Sequence, residues 1–399
     1  FEKETDTLDG WFDSGSTHFA AMERDQHFWP ATMYIEGLDQ YRGWFQSSLL
    51  VAVGALGRGA PFKECVTHGW TVDGEGKAMH KSLGNGMDPA EIFDKYGADL
   101  LRLWAGSADY HVDVRCSDEI FKQLSQNYLK FRNTCKFCLD NLVGFDADHL
   151  VQPDEMLPLD KWAVTRLNAL IEKVFAAYDN YEFHVVSHMV NDFCVVDLSS
   201  FYFDIIKDRL YCGEENSLER RSAQSAVWMI LDAMTRLFAP ILAFTCDEVW
   251  LAMPHRAGDD ARNVLLNQMV QPYAAYALSE EEMGKWARLA ALRTAVNGAL
   301  EQARADKTIG KSLEAEVDLT VTAEDAFLTD MDAADLADLL IVSQVRVEVG
   351  AEQSVAVRPA NGAKCLRCWK VLPTVGSDAG HPDLCPRCAA VVKNLPVME

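Results

Sequence analysis

The sequence predicts a multidomain protein of α/β plus α class, on three observations. Strand-like and helical patterns alternate over residues 1–109, the sign of a parallel sheet wrapped by helices. From about 118 to 275 the strand patterns fade and long amphipathic stretches succeed one another, as in a helical bundle. The chain then closes on two Cys-x-x-Cys pairs in a segment with little apolar material, where a metal replaces a core. With 399 residues, 49% of them hydrophobic, there is material for several separate cores.

In the first region "ATMYIE" (31–36) and "ECVTHGWTV" (64–72) read as strands. "DQYRGWFQSSLLVAVGAL" (39–56) reads as a helix with apolar positions at three-to-four spacing. "MDPAEIFDKYG" (87–97) opens on an Asp-Pro start signal and ends on Gly97, a helix stop. Four helical runs follow, over 117–144, 160–181, 183–211 and 220–253. One more long helix and a strand–helix–strand pattern ("EAEVDLTV", "DAADLADLL", "QVRVEV") fill 279–362. The expected division is 1–109 for the α/β part, 110–156 for a connecting segment and 157–278 for the bundle. A small α/β piece at 279–362 and a metal module at 363–399 complete it.

The net charge of −23 argues against indiscriminate nucleic-acid binding, because phosphate contact needs local positive charge. The acidity is uneven. Residues 313–340 carry nine acidic residues and no lysine or arginine, whereas 364–393 holds five basic residues against Asp378 and Asp383. The most apolar stretch, "LFAPILAFTC" (237–246), is too short to span a bilayer and contains Pro240. No targeting signal is visible at the start, and an opening on Phe1 reads as a piece of something longer.

Eleven cysteines, seven of them scattered, suit a reducing cytoplasm rather than a disulfide framework. The other four form Cys365-Leu-Arg-Cys368, sixteen residues, then Cys385-Pro-Arg-Cys388. Each pair puts two thiolates on one tight turn, and together they close a four-sulfur shell around one structural Zn2+. Arg367, Arg387 and Trp369 make this module a candidate RNA contact; Trp369 equally fits a role packed over the metal site. Cys135 and Cys138 repeat the spacing without a second pair and read as buried thiols. His184 and His188, four apart, lack the glutamate of a metalloprotease helix and read as ordinary helix-face histidines.

Two polar stretches interrupt the α/β pattern. In "YIEGLDQYRGWF" (34–45), Glu36, Gly37, Asp39 and Gln40 fall where a strand ends and a helix begins, the place where parallel sheets bind ligands. Helix capping is the plain alternative for Asp39. "WFDSGSTHF" (11–19) has a similar look. In "GKAMHKSLGNGMDP" (76–89) a lysine sits on a glycine-punctuated loop, suited to closing on a phosphate. A solvated turn is the alternative there.

"WFDSGS", "YIEGLDQYRGWF" and "KAMHKSLGN" in this order, followed by a bundle and a four-cysteine module, resemble the C-terminal portion of bacterial-type isoleucyl-tRNA synthetases. These are class I aminoacyl-tRNA synthetases, and the resemblance runs the whole length of the chain. It implies the C-terminal half of a class I nucleotide-binding fold, an anticodon-binding bundle and a zinc knuckle. It also implies a cytoplasmic monomer acting on isoleucine, ATP with Mg2+, and tRNA(Ile). "AMHKS" (78–82) stands at the family's Lys-Met-Ser-Lys-Ser loop, so Lys81 and Ser82 are implied as catalytic, Lys81 as the ATP-binding lysine. Glu36 matches an aminoacyl-adenylate contact, with Gly37, Asp39 and Gln40 beside it, and Trp11 and Trp44 are candidate walls of the amino-acid pocket. Cys365, Cys368, Cys385 and Cys388 match the zinc ligands. Ala78 and His80 depart from the family's first lysine and its serine; Lys77, one position away, is a partial substitute. No His-x-Gly-His sequence and no editing domain occur, so the fragment is expected to be inactive alone. A competing reading is a non-catalytic nucleic-acid-binding protein built around the finger, similar to those of some DNA glycosylases. A third is an acidic helical scaffold with a stabilising zinc.

Overall fold

A computed structural model describes residues 2–26, 28–80 and 83–395. The chain divides into two compact units, Phe1–Gln126 with Glu182–His184 and Asn127–Tyr181 with Val185–Glu399.

In the first unit, β1 (Ala31–Gly37) and β2 (Phe62–His68) pair in parallel, with Ala31 opposite Phe62 and Gly37 opposite His68. Their crossover is the helix Trp44–Leu50, which runs on as a π-helical turn Val51–Ala55. The expected helix over 39–56 starts late. Leu38–Arg42 winds as a 3-10 turn, and at Gly43 a Cβ would lie 2.1 Å from Gln40 Oε1, so the absence of a side chain is what lets the Gln40 amide settle over the helix start. Tyr34, Phe45 and Ala31 form a small core with Met22, Trp44 and Phe62 against it. The Tyr34 hydroxyl and Ser48 Oγ, both buried, share a hydrogen bond of 2.9 Å.

The expected strand at 64–72 is two strands. Gly69 lies against the backbone of Val112, 2.5 Å from where its Cβ would be, so the chain steps across and resumes as β3 (Thr71–Val72). That strand pairs in parallel with β4 (Val114–Arg115). The helix Pro89–Tyr96 begins as predicted, with Asp88 accepting from Ala90 N, and ends on Gly97 at φ +84°.

The second unit is mostly helical: Pro158–Asp179, all but the first two residues of a continuous run from Phe183 to Cys212, Leu218–Phe238 and Ala243–Ala252. The Phe183–Cys212 run passes through a π-helical stretch at Phe193–Tyr202. The helix predicted over 220–253 is broken between Phe238 and Ala243, because Pro240 has no N–H to continue it. Trp228 and Trp250 are fully buried and hand their indole N–H groups to Pro254 O (2.8 Å) and Asp260 O (3.0 Å). Asp160, also fully buried, accepts from Tyr202 (2.7 Å) and Ser222 (2.6 Å), with Arg209 at 3.5 Å. Both oxygens of the Asp160 carboxylate thus have partners, as a buried carboxylate requires.

The helix Glu280–Ala305 starts on a Ser279/Glu282 capping box. Its buried Arg293 donates to Leu339 O, Ser200 O and Asp204, pinning three segments together. Beyond it, β5 (Ala315–Val321) is the centre of a three-stranded sheet, parallel to β6 (Gln344–Val349) and antiparallel to β7 (Ser354–Pro359). Strand β7 was not predicted; the alternation of Val355 and Val357 was its signal. The 313–340 run is less bare than its composition suggests. Buried Glu316 is gripped by Arg346 (3.1 Å) and Arg358 (2.8 Å), and Arg288 holds both Glu324 and Asp325. A hairpin of β8 (Ala363–Lys364) and β9 (Val371–Leu372) and the helix Pro386–Lys393 make up the last module.

Candidate active-site wall and metal centre

The first-unit candidates gather along β1. Trp11, Trp44 and Glu36 line one cavity of about 740 Å³, together with Tyr34, Met33 and His18. Trp11 lies on the short helix Gly10–Gly15, whose first turn Asp9 caps through Trp11 N (2.9 Å). That helix sits tight on Trp44–Leu50, since a Cβ on Gly15 would stand 2.6 Å from Ser47 Cβ. Trp44 packs its ring on Tyr34 at 4.9 Å between centroids. The result is an apolar, aromatic wall with one carboxylate at the carboxyl end of a parallel strand. Such a wall holds an apolar side chain and offers Glu36 to a hydroxyl or ammonium group.

Glu36 Oε1 accepts from Gly37 N (3.0 Å) and stands 3.9 Å from His68 Nε2, leaving Oε2 without a partner among the described residues. Gly37, Asp39 and Gln40 do not line the cavity. Gln40 bridges instead: its amide donates to Asp39 Oδ2 (3.0 Å) and its Oε1 accepts from Trp44 N (3.2 Å). The bond to the helix start is therefore made by Gln40, not by Asp39. At Gly37 a Cβ would lie 2.7 Å from Asp39 Oδ1, so glycine is what lets that carboxylate approach. Lys81 and Ser82 lie outside the described residues. Lys77, the partial substitute, has its ammonium on Glu75 Oε2 at 2.7 Å.

His18 was not singled out from sequence, although it falls within "WFDSGSTHF". Its ring is fully buried against the edge of Trp29 (5.1 Å), and neither nitrogen has a hydrogen-bond partner among the described residues. Burial lowers its pKa, so it is a neutral imidazole in the wall.

The metal candidates converge. The four Sγ atoms of Cys365, Cys368, Cys385 and Cys388 all lie within 4.8 Å of one another, and all four residues are buried. Cys368 Sγ and Cys385 Sγ are 3.9 Å apart. A disulfide needs about 2.05 Å. Four thiolates at a zinc–sulfur distance of ~2.3 Å in a tetrahedron stand ~3.8 Å from each other, so the spacing fits zinc. Cys385 N donates to Cys365 Sγ (3.3 Å), the kind of backbone support a thiolate ligand uses. Among the described residues no such ligand cluster forms around Cys135 and Cys138, which are buried thiols whose pKa burial raises well above the usual range.

The knuckle arginines turn out to be anchors. Arg367 donates to the carbonyls of Cys212 and Tyr211, at the carboxyl end of the helix Phe203–Cys212, and Arg387 forks onto Asp208 on the same helix. A cation at a helix carboxyl end is where its dipole favours one. Leu372, Val375 and Leu384 pack against the four cysteines, whereas Trp369 is 56% exposed, with Lys311 Nζ 5.7 Å from its ring. It stands at the mouth of a mostly apolar cavity of about 440 Å³ that Tyr211, Leu313 and Ile341 also line.

Three family profiles match this chain. They are tRNA synthetases class I (I, L, M and V) over residues 1–117, the anticodon-binding domain of tRNA ligase over 160–319, and the zinc finger found in FPG and IleRS over 362–391. The chain is 46% identical over 412 residues to the isoleucine–tRNA ligase of Moorella thermoacetica, covering 99% of this chain and 44% of that protein. For the Geobacter sulfurreducens enzyme the figures are 47%, 408 residues, 98% and 43%. The chain thus spans less than half the length of the curated relatives it matches. Its fold is similar to that of LeuRS from Agrobacterium radiobacter in a ternary complex with tRNA and LeuAMS, at TM-score 0.53 and 15% identity over 90% of this chain and 37% of that one. Methionyl-tRNA synthetase of Mycobacterium tuberculosis gives 0.51 and 17% over 60% and 49%. A synthetase segment, an anticodon-binding segment and this zinc finger follow one another along a chain nearly half identical to those enzymes, and the chain belongs to the isoleucine–tRNA ligase family of class I tRNA synthetases.

Proposed function

We propose that this chain is the part of an isoleucine–tRNA ligase that closes the ATP site, binds tRNA(Ile) at its anticodon half and carries one structural zinc. The observation that carries the reading is the gathering of Trp11, Trp44 and Glu36 around one cavity at the carboxyl end of a parallel strand. In the parent reaction an isoleucine carboxylate oxygen attacks the α-phosphorus of ATP, and the bond to pyrophosphate breaks. A ribose hydroxyl of tRNA(Ile) then attacks the adenylate carbonyl, and AMP leaves.

In this reading the tryptophans hold the isoleucine side chain and Glu36 holds the adenylate. Lys81 offsets the charge that builds on the phosphates, with Ser82 beside it and Mg2+ arriving with ATP. Gly37, Asp39 and Gln40 shape the strand end. Cys365, Cys368, Cys385 and Cys388 hold the zinc, which ties the last module together and takes no part in the chemistry. The division at 109, 156, 278 and 362, a monomeric state and a cytoplasmic setting belong to the same reading. The finger-only and scaffold readings leave the first-unit cavity without a use.

The test is isoleucine-dependent ATP–pyrophosphate exchange. The chain alone is expected at background, because one wall is a fraction of a site and losing even one fixed donor commonly costs about a hundredfold. Exchange should appear when the rest of the relatives' length is supplied, and Lys81→Ala should then abolish it. Exchange by the chain alone, abolished by Lys81→Ala, would overturn the half-site reading.

A further inference from the structure

Arg367 touches the metal centre and the bundle with one guanidinium. Its Nη1 donates to Cys212 O and reaches Cys388 Sγ at 3.9 Å, while Nη2 donates to Tyr211 O at 3.4 Å. The tie also runs the other way, since Cys212 Sγ donates to Arg367 O (3.6 Å). Tyr211 and Cys212 end the helix Phe203–Cys212, where the last carbonyls have no partner within the helix. Cys212 is a fifth buried cysteine, packed in one cluster with Cys365, Cys368, Cys385 and Cys388. It is not among the four sulfurs that converge, so it is a neighbour of the shell and not a ligand. Arg387, at the matching place in the second Cys-x-x-Cys pair, bonds to Asp208 and to no sulfur among the described residues.

Four thiolates around one Zn2+ keep an excess of negative charge, and N–H donors aimed at the sulfurs offset it. For Cys365 the donor is a backbone group, Cys385 N; for Cys388 it is a charged side chain that also grips the bundle. Resting on the reading of the four cysteines as a zinc shell, we infer that Arg367 is a positioning residue for the Cys388 ligand. The same guanidinium makes zinc affinity and the sealing of Cys212 depend on each other. A planar fork can meet two carbonyls and a sulfur at once, which a point charge on a lysine stem cannot. Coupling of this kind is reciprocal. Whatever Arg367 adds to the hold on zinc, zinc adds to the hold of Arg367 on the helix end.

The whole chain, purified with its metal, serves for the test. In competition with a chromogenic chelator, Arg367→Met should weaken zinc binding about 10- to 100-fold, the usual cost of losing a group that supports a metal ligand. Arg387→Met gives up an anchor on the same helix but no bond to sulfur, and should stay within about twofold of the parent. Cys212 reports the other side of the coupling. At saturating zinc it should resist N-ethylmaleimide in the parent, read site by site by mass spectrometry. In Arg367→Met at saturating zinc it should react faster, by a factor similar to the loss of affinity. Cys135 and Cys138, buried in the bundle, should stay protected throughout, which shows that the bundle is folded. Arg367→Lys, a charge without the fork, should recover part of both losses and carries the test if the methionine variant does not fold. Parent-like zinc affinity in Arg367→Met, an equal loss in Arg387→Met, or a Cys212 as protected as in the parent would each overturn the coupling. Elemental analysis separates the two claims. A parent without zinc sinks the zinc reading and the coupling with it; a parent with zinc, held as tightly after Arg367→Met, sinks the coupling alone.

Discussion

The metal centre in the second unit and the aromatic wall in the first differ in where their atoms come from. Four sulfurs supplied by Cys365 through Cys388 make a shell with no missing member, and the module's own hairpin and helix hold it. The wall draws on Trp11, Glu36 and Trp44 and has a two-stranded sheet behind it, with Trp11 50% and Ile35 58% exposed. A site whose ligands lie within one short segment is complete wherever that segment folds. A site assembled from separated segments is as complete as the number of them present. Stability and function should therefore respond separately in the two regions.

The largest expected effect is at the metal. Structural zinc contributes on the order of 10 kcal/mol or more to small modules of this kind, far beyond what a core this small supplies. Cys385→Ser should release the metal and unfold the segment after 362, while the bundle keeps its helices. Elemental analysis and circular dichroism follow the two parts. Folding of that segment without metal, or collapse of the bundle with it, would break the comparison. Next in size is Trp228→Ala, which empties a fully buried site and should cost the bundle about 3–5 kcal/mol in urea unfolding. Zinc content should not change. A loss of metal in that variant would mean that the two cores are one.

The same distinction decides what was legible in the sequence. Cys-x-x-Cys spacing states its chemistry locally, and the four sulfurs converge. The helix at Pro89–Tyr96 was legible because Asp88, Pro89 and Gly97 are local signals. The break at Pro240 was written in the chain too, but the apolar period on either side of it hid the stop. What could not be read is which partner a polar group finds at long range. Arg367 and Arg387 look like RNA contacts in a basic segment, yet their partners are Tyr211, Cys212 and Asp208, more than 150 residues away.

Those anchors give a smaller, pH-dependent prediction. For Asp208 burial is the largest influence and raises its pKa, but the hydrogen bond and charge of Arg387 outweigh it, and the net shift is downward. A folded-state value below the unfolded one means that the pair stabilises the protein above the unfolded carboxylate pKa of about 3.9 and loses that contribution as the pH falls through the folded value. Arg387→Ala should cost about 1 kcal/mol at pH 7, discounted because the arginine side chain is 43% exposed. The variant's Asp208 keeps its burial with only Lys370 and the Cys212 thiol to offset it, so the gap between it and the parent should narrow on acidification to pH 4 and below. An equal gap at pH 7 and at low pH would show that the arginine acts through packing rather than charge.

The smallest effect on stability should come from Trp369, and it sharpens the comparison most. Its backbone is left-handed, with φ +65°, a conformation that costs a bulky side chain roughly 1–2 kcal/mol. The ring is more than half exposed, and the tie that holds this turn is the backbone bond from Trp369 N to Cys365 O (2.9 Å), which any residue makes. A costly backbone position carrying an exposed aromatic ring points to a contact outside the chain. Trp369→Gly relieves the strain and gives up only the ring's contacts with Lys311 and the cavity mouth, so stability should move by less than about 1 kcal/mol in either direction. Affinity for tRNA(Ile) should fall much further, since a stacked base is worth about 1–3 kcal/mol, roughly 5- to 150-fold. Raising the salt should weaken parent and variant alike, because an uncharged ring contributes nothing to counterion release. Binding of tRNA(Ile) that is unchanged by Trp369→Gly, or stability that drops by more than 2 kcal/mol, would return the ring to a structural role.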